Sequence, residues 1–121
     1  VSSSRWNPRL SEQAKRDLRG ILKWTKERFG EVQATSYHEA ILTAFSELHN
    51  GPDLPSIKRR DDLSPGVMVF RIARKGRQSR HIIVFKVAHH EEKKIEVLRI
   101  PHDSMDLQRH LSFQEEPKDF D

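Results

Sequence analysis

The chain has 121 residues, 35% hydrophobic and 33% charged, which is enough for one core but not two. It has no cysteine, which excludes disulfides, a thiolate nucleophile and a zinc site built on sulfur. No signal peptide and no apolar run near about 18 residues is legible, so one cytoplasmic domain spanning 1–121 is expected, and a net charge of +4 favours acidic partners.

The first segment, "RWNPRL" from Arg5 to Leu10, carries Pro8, so as a strand it belongs at a sheet edge. Ser11 then has the character of an N-cap. Ala14, Leu18, Ile21, Leu22 and Phe29 recur at helical spacing, with Glu12 in the first turn, which predicts a helix of about 18 residues ending at Gly30. A second helix carries Ala34, Tyr37, Ala40, Ile41, Ala44, Phe45 and Leu48 and stops at Asn50-Gly51-Pro52, where a left-handed cap precedes a residue that cannot continue a helix. The short connection makes the two an antiparallel hairpin, and Trp24 and Tyr37 read as packing residues on it.

After the loop "GPDLPSIKRRDDLSPG" the period becomes extended. "VMVFRIA" (67–73), "HIIVFKVA" (81–88) and "KIEVLRI" (94–100) predict three strands of an antiparallel meander, joined by "RKGRQSR" and "HHEEK". Helices followed by strands imply an α+β fold, β-α-α-β-β-β with a further short C-terminal helix, whose antiparallel sheet carries the helical hairpin on one face. Residues 112–121 form an acidic tail with Glu115, Glu116, Asp119 and Asp121 against Lys118.

The positive charge is concentrated in one place. Between Leu63 and His90 there is no acidic residue, while Arg71, Arg74, Lys75, Arg77, Arg80 and Lys86 supply six cations, so the rest of the chain is slightly acidic. Such a run reads either as a solvated hairpin or as a binding surface. His102 and Asp103 meet where the last strand gives way to "SMDLQRHL". A His beside an Asp suits a general base or a metal ligand, but Asp103 and Ser104 also suit the cap of the following helix, which is the structural reading. The adjacent His89 and His90, with Glu91 and Glu92, form a polar turn rather than a metal cage, and the isolated glycines form no nucleotide loop. Neither metal nor cofactor is expected.

Four strings taken in order, "RLSEQAKRDLRGILKWTKERFGEVQATSYHEAILTAFSEL", "RRDDLSPGVMVFRI", "HIIVFKV" and "IEVLRIPHDSMDLQRHL", resemble the ParE toxins of the ParE/RelE toxin–antitoxin superfamily over roughly residues 9–111. The resemblance implies a growth-inhibiting toxin of a type II module, as used in plasmid maintenance. It further implies a ParD-like or related antitoxin as partner and DNA gyrase as a target inhibited by protein–protein contact. Target contacts are then expected at Arg71, Arg74, Arg99, His102, Asp103, Met105 and Arg109. The alternative is a RelE-like, ribosome-dependent mRNA endoribonuclease, with Arg71 and Arg99 on phosphate and His102 in proton transfer. That set is incomplete, because cleavage needs donors and acceptors on both sides of the phosphate.

Overall fold

The computed structural model describes residues 5–74, 77–88, 92–102 and 107. The elements run β1 (Asn7–Leu10), α1 (Glu12–Phe29), α2 (Glu31–Leu48), β2 (Ile57–Arg59), β3 (Met68–Arg74), β4 (Arg77–Val87) and β5 (Lys94–Arg99). The strands form one five-stranded sheet in the order β1-β5-β4-β3-β2.

The α+β class and the helical hairpin stand as expected, but the sheet is mixed. β2 to β5 is an antiparallel meander, whereas β1 pairs with β5 in parallel, Asn7 opposite Lys94 and Leu10 opposite Val97. A parallel pair needs a long crossover, and everything between β1 and β5 supplies it. β1 with its proline lies at one edge, as expected, and the three-residue β2 forms the other inside what reads as a loop. The "RKGRQSR" connection is mostly strand, since Arg74 pairs with Arg77 across the hairpin end.

Local chemistry sets the helix ends. The Ser11 hydroxyl accepts from the Ala14 N–H at 3.0 Å and donates to the Leu98 carbonyl at 2.9 Å, so the cap of α1 also ties the helix start to β5. Gly30, at φ +94°, lets α2 begin one residue after α1 ends. Within α1, the hydroxyl of buried Thr25 donates to the Ile21 carbonyl at 2.7 Å, which removes the cost of an unpaired polar group. The loop into β3 turns at Gly66, whose N–H donates to Asp61 at 2.9 Å and holds that carboxyl below its usual pKa.

The main core lies between the helices and one face of the sheet. Ala14 and Ile21 from α1 and Ile41, Ala44 and Leu48 from α2 pack on Phe70, Ile72, Ile83, Phe85, Ile95 and Val97. Each fully buried aliphatic side chain here contributes about 2 kcal/mol. The α1 stripe ends earlier than its periodicity suggests. Phe29 is 60% exposed and Trp24 49%, because no residue of the last turn, 26–29, is buried. The two rings instead meet edge-on at 5.7 Å, with the Arg28 guanidinium 5.4 Å from the Trp24 centroid.

The exit from α2 is held by Trp6. Its N–H donates to the His49 carbonyl at 2.8 Å, the His49 Nδ1 lies 2.7 Å from the Trp6 carbonyl, and the indole lies over Gly51. Gly51 has φ +100°, and a Cβ there would sit 2.8 Å from Trp6 Nε1. Gly66, at φ +86°, has open space around it. Gly51→Ala should therefore cost about 2–3 kcal/mol in urea unfolding and Gly66→Ala only about 1 kcal/mol; equal losses would remove the steric role of Trp6.

Candidate functional site

Strand alternation sends every second side chain of β3 and β4 away from the helices. Val67, just before β3, and Val69, Ile82 and Val84 thereby form a second apolar cluster on the open face of the sheet, joined by Leu63 and by Leu107. Leu107 is helical and buried, so the chain has returned across this face by that point. Register places the charged neighbours: Arg71 lies opposite Ile82, Lys58 opposite Val69, and Lys86 two residues beyond Val84. Glu96 lies opposite both Lys86 and Arg9. The face away from the helices thus carries a small buried apolar cluster, bordered by Arg9, Lys58, Arg71 and Lys86 and by the carboxylate of Glu96.

A different constellation forms on the helix side. His81 alternates with Ile83 and Phe85, and its Nδ1 lies 2.7 Å from the hydroxyl of buried Tyr37 on α2. His102 reaches the same place through a backbone bridge to His81, and the two imidazoles meet edge-on with centroids 5.3 Å apart. The Ile82 N–H donates to the Pro101 carbonyl at 3.1 Å and fixes this approach. A phenol and two imidazoles in sequence can pass a proton, but they also satisfy a tyrosine hydroxyl that burial would otherwise leave costly.

Arg99 is occupied elsewhere. Its Nε and Nη2 donate to the Asp17 carboxylate of α1 at 2.8 and 3.2 Å, and the Ile100 N–H donates to the same carboxylate at 2.9 Å. Both side chains of the pair are largely buried, at 24% and 18% exposed. This fastens α1 to the end of β5 and holds Arg99 on the helix side, across the sheet from Arg71.

The residues expected to act together are therefore divided. Arg71 is on the open face, Arg99 is paired with Asp17, and His102 is in the Tyr37–His81 group. Arg74 stands at the end of β3 opposite Arg77. Asp103, Met105 and Arg109 lie outside the described residues, as do His89, His90, Glu91, the C-terminal helix apart from Leu107, and the acidic tail. No group of three metal-ligating side chains is found among the described residues. His81 and Asp17 were not singled out from the sequence. The alternation of "HIIVFKV" does place His81 on the face of Ile83 and Phe85, but nothing local to Asp17 points to a partner 82 residues away.

The family model described as the ParE toxin of the type II toxin–antitoxin system parDE matches residues 9–107. No curated protein matches the chain. Among solved structures, a chain of the chromosomal ParDE toxin–antitoxin system from P. aeruginosa is similar, with a TM-score of 0.62 and 19% identity over 82% of this chain and 97% of that one. A chain of the RelBE2 toxin–antitoxin complex from Mycobacterium tuberculosis gives a TM-score of 0.51 and 19% identity over 81% and 98%. At such identities these two likenesses speak for the fold.

The pairing of Asp17 with Arg99 has a thermodynamic test. Asp17→Ala and Arg99→Ala should each lower unfolding free energy by about 2 kcal/mol, and the double variant should lose clearly less than the sum. Additive losses in urea titrations would mean that the two are not coupled.

Proposed function

Because the chain belongs to the ParE toxin family of type II toxin–antitoxin systems, we propose that it arrests bacterial growth in the cytoplasm by binding DNA gyrase, and that a ParD-like antitoxin neutralises it. The observation that supports inhibition by contact is the division of the cationic and imidazole groups. An RNA-cleaving site needs a cation on the phosphate within reach of the groups that move protons. Here Arg71 and His102 face opposite sides of the sheet, and the Arg99 guanidinium is held by Asp17. The gyrase target itself comes from the family resemblance. No described helix is long and apolar enough to cross a membrane.

The open face suits the antitoxin. The cations at its border, Arg9, Lys58, Arg71 and Lys86, suit an acidic segment, with charge supplying approach rate and register.

Two measurements test the reading. Purified protein should block supercoiling by gyrase and leave ribosome-bound mRNA intact; mRNA cleavage that is lost in Arg71→Ala or His102→Ala would reverse the assignment in favour of a ribonuclease. Affinity for the cognate antitoxin should fall at least about tenfold from low to high salt, and a salt-independent affinity would remove the basic border from the interface.

A further inference from the structure

The helical hairpin has an outer side, turned away from the sheet, that no described element covers. We propose that this side is a self-association surface: a second copy of the chain docks on it, with α2 of each copy lying over α1 of the other. The inference rests on the helices alone and not on the identity of the target.

Three observations point to it. The first is exposed apolar surface in one place. The large apolar side chains left exposed among the described residues are Trp24, Phe29, Val32 (83%) and Leu42 (51%), and all four belong to the hairpin. Val32 and Leu42 stand on the side of α2 opposite buried Tyr37, Ile41 and Leu48. The second is charge. α1 carries six lysines and arginines against three carboxylates, and α2 carries three carboxylates with no lysine or arginine, so the two helices are +3 and −3. Exposed Arg16 and Arg19 on α1, and exposed Glu39 and Glu47 on α2, have no ion pair among the described residues. The third is register. Residues equally far in sequence from the turn at Gly30 lie level on the two helices, so Glu39 stands level with Ile21, between Arg19 and Lys23, and Glu47 stands within one turn of Arg16.

Symmetry selects the occupant. A two-fold axis running along the hairpin keeps these levels and sets the cations of one copy's α1 over the carboxylates of the other's α2, twice over. An axis across the hairpin would set α1 on α1, with like charges facing. Each 18-residue helix is about 27 Å long and about 10 Å wide, so the two outer sides offer about 540 Å² per copy and about 1,080 Å² in the pair. That lies at the lower end of specific interfaces and suits a reversible dimer.

The test uses the full chain alone, without gyrase or antitoxin, so its result is independent of the function proposed above. Sedimentation equilibrium over roughly 1–200 µM should show a reversible monomer–dimer equilibrium with Kd in the micromolar range. Glu39→Lys and Arg19→Glu change exposed helix positions and should each weaken the dimer at least about tenfold, because the two-fold repeats every contact. The double variant R19E/E39K restores opposite charges across the axis and should return Kd to within about threefold of the unaltered chain. Leu42→Asp should weaken the dimer by about tenfold as well, with helix content by circular dichroism unchanged in all four variants. A chain still monomeric at about 200 µM, a dimer that Glu39→Lys or Leu42→Asp leaves intact, or a double variant as weak as the single ones would each overturn the proposal.

Discussion

One carboxylate, that of Asp17, takes three hydrogen bonds from the end of β5, and the arrangement of both layers depends on it. Ser11 joins the start of α1 to Val97 and Leu98, and Asp17, nearly two turns later, joins the same helix to Arg99 and Ile100. A helix held to one strand at two points along its length cannot slide or rotate on the sheet, so the apolar side chains that α1 and α2 present are fixed over Phe85, Ile95 and Val97. Charge-assisted bonds to both carboxylate oxygens offset the cost of placing that group in a largely buried position.

Fixing the helices on one face leaves the other with a different chemistry. Arginines of the same residue type then take unrelated roles: Arg99 braces the two layers and Arg71 borders a surface. His102, three residues past β5, meets His81 on the side of Tyr37 rather than that of the cations. The sheet thus acts as a partition. Its apolar strands separate groups that a linear reading of basic and imidazole residues would gather into one site.

Much of the fold is legible in the residues because periodicity reports which side of an element meets apolar neighbours. Ser11 and Gly30 mark the limits of α1 through side-chain capping and positive φ, whereas α2 ends at Leu48, just short of Asn50-Gly51-Pro52. Periodicity does not report which strands are neighbours, so the parallel pairing of β1 with β5 is invisible to it. β2 has three residues, too few to establish an alternation, and the charged stretch 77–80 lacks the β-branched residues that announce a strand. At the candidate site the limit is sequence distance. Tyr37 and His81 are 44 residues apart, and Asp17 and Arg99 are 82 apart, so only the folded chain can separate the brace from the border.

The parallel pair of β1 and β5 also constrains synthesis. β1 leaves the ribosome well before its backbone partners between Lys94 and Val97, and the Ser11 hydroxyl bonds to a carbonyl 87 residues later. A nascent chain can form the helical hairpin and the β2–β4 meander early from local contacts, but the sheet and its brace close only after β5 has emerged. Synthesis must therefore pass β5 before the two faces exist, and a chain ended before Lys94 lacks both the partition and the surface it creates.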